Sequence, residues 1–412
     1  MINQIQRHYL LCFTGSSGIM TPIASIAVFL GFTSHAIATA QLPPVGPGKT
    51  MALDKVYDVD FDTDKDGGCK SYKEKIEIAY IETMQMAQAS MSAMAWLENI
   101  QKLPSKADGR KYESYLRIKQ MYTKVFGADA MKVDGHGLAP TAKEVLMTYN
   151  YYLAEHEVDT NSATKKFYLR CGDEWLKFAK ATDPDPREGK QTKPPNEPLP
   201  KGIFYAPGLP ANKMILRSPD LYSTTPSKRP TCNINHAMAY YEADLLILCP
   251  SLLKAARTGS LETYKAPWSI DQLIPSADVK NPTHIDTIAS TIALTWLHEL
   301  GHLIENYNDP IAITGGKDEI GNARLVYGWD EIVLYAEREP EKAHMVPDGL
   351  AYFGAAMYWQ EFYWASGMAK TAPEGDAVTV NKAGVGAGAP KSKLGSRVMP
   401  ERVEDAEDAM SG

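Results

Sequence analysis

The run Leu297-His298-Glu299-Leu300-Gly301-His302 constrains this 412-residue chain more tightly than any other segment. Two histidines four apart fall one above the other on an α-helix, so both imidazoles can close on one cation only if this stretch is helical. The flanking residues agree. Ile288, Ile292, Trp296, Leu297, Leu300 and Leu303 recur at helical spacing and predict a helix from about Ile285 to Asn306 with a broad buried stripe. Glu299 then projects beside the imidazole pair, and Gly301 leaves room close to it.

A closed structural zinc site would draw on more cysteines or histidines nearby. Here only His298 and His302 are supplied locally, with a carboxylate, Glu299, poised within reach of water on a shared ion. That pattern points to hydrolytic chemistry with Zn2+ as the cofactor, His298 and His302 as ligands and Glu299 as general base. A third ligand has to come from elsewhere in the chain.

The first forty residues read as a signal peptide: Arg7 near the front, an apolar run from Ile19 to Phe32, and a small-residue exit ending at Ala40. The run is about 14 residues, short of the ~20 that span a bilayer, so no membrane association is expected after cleavage. Removing the leader takes away one basic and no acidic residue from a formal charge of −7. An acidic chain without a Lys/Arg stripe argues against nucleic acid as a partner. Export also leaves Cys69, Cys171, Cys232 and Cys249, an even set that suggests two disulfides in an oxidising compartment. Of the three possible pairings, Cys232 with Cys249 closes the shortest loop and is preferred, which leaves Cys69 with Cys171.

Residues 41–68 mix Pro, Gly and Asp and read as an exposed arm. Residues 69–180 read as a helical subdomain. Its longest helix is expected over Ser71 to Gln101, where Met84, Met86, Met91 and Met94 serve as core filler, with further helices over Tyr112 to Phe126 and Thr141 to Ala154 and a short strand over Lys166 to Cys171. Residues 181–231 carry many prolines, among them Pro184, Pro186, Pro194, Pro195, Pro198 and Pro200, and read as a surface loop or linker. Residues 232–366 form the zinc-bearing subdomain: a helical or turn segment from Cys232 to Tyr241, a buried strand over Leu245 to Cys249, the metal helix, and helices near Trp329 to Arg338 and Asp348 to Ser366. The Ala-, Gly- and Lys-rich stretch 367–412 reads as a disordered tail.

Several separated pieces resemble the deuterolysin-like fungal zinc endopeptidases, the aspzincins, over roughly Cys69 to Ala365. They are Cys232 with Ala239-Tyr240 and Ile247-Leu248-Cys249-Pro250, the His298 to His302 motif, Tyr327-Gly328-Trp329, and Asp348-Gly349-Leu350-Ala351-Tyr352-Phe353. The resemblance implies a mainly helical α+β fold of zincin type with a small β-sheet. It also implies that Tyr327 donates a hydrogen bond to the developing oxyanion.

The chain departs from that family at the third ligand. Counting back from Tyr327-Gly328, the family's metal-binding Asp falls at Arg324, which stays protonated and cannot ligate zinc. The acidic loop Thr314-Gly315-Gly316-Lys317-Asp318-Glu319 offers a substitute, with Asp318 the first choice and Glu319 and Asp309 behind it. Asp348, just after Pro347, reads most simply as a helix N-cap, with support of a zinc histidine as the alternative. Glu305 reads as solvated, and His236, His284 and His344 as isolated.

These residues lead to the expectation of a secreted, extracellular, monomeric zinc endopeptidase acting on protein or peptide. The competing expectation is an exported scaffold that has lost catalysis and serves as a binding or host-interaction protein, a reading that Arg324 favours.

Overall fold

The computed structural model describes residues 42–132, 136–179, 202–210, 213, 222–223, 232, 237–255, 284–289, 291–317, 323–360 and 362–370. The expected signal peptide and the tail from residue 371 onward lie outside the described residues. Along the chain come β1 (Lys49–Thr50), α1 (Leu53–Val56), β2 (Tyr57–Asp58), α2 (Lys73–Glu98), α3 (Arg110–Phe126), α4 (Pro140–His156), β3 (Val158–Asp159), β4 (Phe167–Cys171), β5 (Lys177–Ala179), β6 (Gly202–Tyr205), β7 (Tyr222–Ser223), β8 (Ala237–Tyr240), β9 (Leu245–Leu248), α5 (Pro250–Ala255), α6 (Ile292–Glu305), α7 (Trp329–Arg338) and α8 (Pro347–Tyr358). Helices dominate, with a small mixed sheet, which is an α+β arrangement.

The main sheet has the order β2-β4-β9-β8, with β2, β4 and β9 parallel and β8 antiparallel to β9. Strand β9 is Leu-Leu-Ile-Leu and wholly buried, as expected of a strand covered on both faces. Leu246 and Leu248 turn toward the helices, while Leu245 and Ile247 meet Trp175, Phe204 and Leu209 on the other side. This alternation is the period-two pattern of a pleated strand.

One hydrophobic core joins α2, α4, α6 and α8, so the N-terminal helices and the metal-helix half are not separate bodies. Helix α2 is buried along its length, with Met84, Met86 and Met94 fully enclosed. Cys69 bonds Cys171, tying the entry to α2 onto the end of β4, and Cys232 bonds Cys249, clasping the β8–β9 hairpin. Loop closure by these bonds restricts the unfolded chain by about 4.7 kcal/mol for the long loop and about 3 kcal/mol for the short one. No described helix is long and apolar enough to cross a membrane.

Five segments differ from the sequence expectation. The stretch 41–68 is not simply an exposed arm: it supplies β1, α1 and β2, and Met51, Leu53, Val56 and Tyr57 are buried in the core because β2 pairs with β4 at the edge of the main sheet. The end of the stretch from Cys232 to Tyr241 is strand β8 rather than helix or turn, because its Ala237, Ala239 and Tyr240 complete a ladder beside β9 and are buried there. Within the Pro-rich stretch 181–231, β6 and β7 build a three-stranded sheet with β5, and Phe204 is buried. Helix α8 stops at Tyr358 instead of Ser366; the chain turns so that the Trp364 indole N–H donates to Trp359 O at 3.2 Å. The first residues of the expected tail pack on the body: Met368 bridges His284, and Ala369 is buried.

Candidate metal centre

Helix α6 begins where Thr291 accepts a hydrogen bond from Leu294 N–H through its side chain. It ends at Asn306, whose left-handed conformation (φ 53°) stops the helix and reverses the chain. The turn is fixed by Tyr307 N–H donating to Gly301 O at 3.1 Å. Between these stops the helix is buried on every side, Trp296, Leu297 and Leu300 fully so. Burying each such side chain contributes about 1.5–3 kcal/mol, enough to hold α6 in a single rotational setting.

In that setting His298 and His302 face one another, with Nε2 to Nε2 at 3.1 Å. Each ring is oriented by its other nitrogen. His302 Nδ1–H donates to Tyr307 O at 2.6 Å, and His298 Nδ1 lies 2.6 Å from Asp348 Oδ1. With both Nδ1 atoms donating, two Nε2 lone pairs meet head-on, a repulsive arrangement unless a cation or proton lies between them.

The third group is Asp309. After the reversal at Asn306 the chain brings this carboxylate beneath the imidazoles, with Oδ1 3.6 Å from His298 Nε2 and Oδ2 3.3 Å from His302 Nε2. Oδ2 accepts from the Tyr327 hydroxyl at 2.7 Å, while Oδ1 is buried with no hydrogen-bond partner. Burial pushes the Asp309 carboxyl up, but the neighbouring His298 and His302 outweigh it and hold it well below the usual carboxylate range. Burial pushes His298 down, and Asp309 and Asp348 outweigh that to lift it to about 10.

Together His298, His302 and Asp309 form a buried group able to hold a metal ion, with one ligand atom from each lying within 4.8 Å of the others. Two donors bonded to one zinc at ~2.0–2.1 Å in a tetrahedral arrangement stand about 3.3 Å apart, close to the observed imidazole separation. The unpartnered carboxylate oxygen and the close approach of the two Nε2 atoms fit a positive charge between them, either a metal ion or the proton that His298 holds without one.

No protein-family model matches this chain, and no curated protein or solved structure matches it. The chemistry of the centre therefore rests on its own geometry.

Of the carboxylates expected from sequence to complete the ligand set, Asp318 and Glu319 lie outside the described residues, and Asp309 joins the imidazoles. Glu299, next to His298 on α6, is fully buried. Tyr327 stands at the centre, with its hydroxyl on Asp309 and its ring centroid 5.9 Å from that of His298. Arg324 is largely exposed and pairs with Glu331 at 3.3 Å. Asp348 is not the cap of α8, which is Val346; it supports His298 and accepts from Gly328 N–H at 3.0 Å. Gly301 does not make room for an ion. Its missing Cβ would stand 3.1 Å from Pro347 Cβ, so it makes room for the start of α8.

Sequence reasoning did not single out two supporting groups. Asp286 accepts from Trp329 N–H at 3.0 Å and from the Tyr352 hydroxyl at 2.6 Å, fixing the start of α7 next to the Gly328–Asp348 contact. Tyr307 acts through its backbone carbonyl, which no residue type discloses. The one available signal was position: Asn306, a residue type tolerant of left-handed backbone, lies just past the apolar stripe and turns the chain so that Asp309 meets the site.

Proposed function

We propose that this chain is a secreted zinc-dependent endopeptidase. The observation that carries the reading is the close approach of His298, His302 and the Asp309 carboxylate, one ligand atom from each within 4.8 Å of the others, with Glu299 beside His298 on the same helical turn. Two disulfides suit an oxidising, extracellular setting. The resemblance to the aspzincins points to the same chemistry.

His298, His302 and Asp309 hold the ion, and an N,N,O donor set suits zinc. When bound, zinc supplies Lewis acidity that polarises a carbonyl and acidifies water. Glu299 accepts the proton of the attacking water at a carboxylate oxygen and returns it to the leaving amine nitrogen as the C–N bond breaks and the C–O bond forms. Asp348 and the Tyr307 carbonyl keep both imidazoles in the tautomer that presents Nε2. With Asp309 supplying a carboxylate, Arg324 no longer argues for a scaffold without metal.

A second reading is favoured by burial: His298 is 1% exposed, His302 4% and Glu299 0%, so a peptide bond reaches Glu299 only after the covering chain moves. On that reading the metal serves the fold alone. Metal analysis and casein hydrolysis by the purified mature chain separate the two. The peptidase reading expects about one zinc per chain, hydrolysis lost to chelator, and Glu299→Gln keeping its zinc while losing ~10²–10⁴ in rate. A zinc-loaded wild type without hydrolysis, or a Glu299→Gln variant indistinguishable from it, assigns the metal to structure.

A further inference from the structure

Each of the three ligands has its other polar atom engaged by another group of the chain. Asp348 takes His298 Nδ1, the Tyr307 carbonyl takes His302 Nδ1, and Tyr327 takes Asp309 Oδ2. The first two are the usual supports of metal-binding imidazoles. The third changes the role expected for Tyr327. A phenol carries one proton, and while that proton is given to Asp309 at 2.7 Å it is not available to a substrate oxygen.

We infer that Tyr327 is a positioning residue for the third ligand: its hydroxyl fixes Asp309 Oδ2, 3.3 Å from His302 Nε2, and thereby sets the plane of a carboxylate whose Oδ1 stands 3.6 Å from His298 Nε2. This rests on the proposed metal site. A carboxylate turns readily about its terminal torsion, so without an anchor Asp309 offers either oxygen. The anchor is itself held by hydrogen bonds. Val326 N–H donates to Pro310 O at 2.9 Å and Ala312 N–H to Arg324 O at 2.8 Å, so residues 310–317 pair with 323–326 as two arms of a hairpin whose feet carry Asp309 and Tyr327. Glu331 on α7 grips the hairpin through Thr314 Oγ1 at 2.8 Å and Arg324 Nη2 at 3.3 Å. Gly328, directly after Tyr327, is tied to Asp348 through its N–H. Arg324, at the position where the resembling family carries its ligand, thus braces the hairpin that delivers the substitute.

The test uses the full mature chain, with zinc affinity measured by chelator competition and the ligand field read from the visible spectrum of the cobalt(II) form. Tyr327→Phe is expected to bind zinc about 10–100-fold more weakly and to shift the cobalt spectrum, while its metal-free melting temperature stays near that of wild type. Because Tyr327 acts through Asp309, the double variant Asp309→Asn/Tyr327→Phe is expected to bind no more weakly than Asp309→Asn alone. If Tyr327→Phe does not fold, Tyr327→Gln keeps an N–H donor and is expected to retain zinc within about tenfold of wild type. Unchanged affinity and spectrum in Tyr327→Phe together with lost hydrolysis, additive losses in the double variant, or a folded Tyr327→Gln with larger losses would each overturn the role. A wild-type chain that takes up no zinc or cobalt overturns the metal site itself and this inference with it.

Discussion

Asp348 Oδ1 lies 2.6 Å from His298 Nδ1 across a sequence separation of 50 residues, so helix α8 holds an imidazole of the candidate metal centre on helix α6 in its orientation. The other oxygen of the same carboxylate accepts from Gly328 N–H, which ties the start of α7 to the same point. Asp348→Asn keeps the shape and loses the charge. Zinc affinity is expected to fall about 10–100-fold, measured by chelator competition, with the secondary structure unchanged by circular dichroism.

Proton and metal compete for His298. Its raised pKa, about 10 without metal, lies above the ~6.5 of an unfolded histidine, so this group stabilises the metal-free fold fully below ~6.5 and loses that contribution as pH rises through about 10. Zinc must displace the proton, so affinity runs the opposite way and is expected to rise about tenfold per pH unit through the neutral range. Calorimetry in buffers of different ionisation enthalpy reads the released proton; a pH-independent affinity would contradict the coupling.

Gly301→Ala tests the contact between α6 and α8. The added Cβ would stand 3.1 and 3.2 Å from Pro347 Cβ and Cγ and 3.4 Å from the Tyr152 hydroxyl, so Pro347 has to give by a few tenths of an ångström. Asp348 follows Pro347 and moves with it. A loss of about 1–3 kcal/mol in denaturant unfolding is expected, together with weaker zinc binding. Weaker unfolding resistance with unaltered zinc affinity would separate the packing from the site.

His156 makes the chain acid-labile away from the metal. It is fully buried between Tyr57, whose hydroxyl donates to Nε2 at 2.9 Å, and the Tyr152 carbonyl, 2.6 Å from Nδ1. Burial pushes its pKa down to about 4, below the unfolded value, so its contribution is complete above ~6.5 and is lost as pH falls toward 4. The shift corresponds to about 3 kcal/mol. Melting temperatures of metal-free wild type and His156→Phe between neutral pH and pH 4 check this: the wild type should fall more steeply, and parallel curves would assign the acid sensitivity elsewhere.

Helical periodicity disclosed the helices that carry apolar stripes, and α7 falls on the expected residues from Trp329 to Arg338. The all-apolar run of β9 was equally legible, since a run that short suits a strand buried on both faces better than a helix. Strand β8 was not, because its four residues become a strand through pairing with β9 rather than through their own pattern. The disulfide pairing followed from loop length, and both expected bonds are present. At the site, residue type and spacing sufficed for His298 and His302 because a helix fixes their separation. The third carboxylate is set by one left-handed residue, Asn306, and by the hairpin that follows. Spacing alone left several acidic side chains equally eligible. The same limit applies to Asp348, whose partner on α6 depends on how two helices pack.

Because His298, His302 and Asp309 all lie on one short piece of chain, an ion can be captured at little loop-closure cost before distant segments have met. Asp348 and Tyr327 come from segments farther along the chain, so their hold on His298 and Asp309 requires α8 and the paired arms after Asp309 to be in place. An ion gripped more tightly by the finished fold than by the open chain would raise its resistance to unfolding.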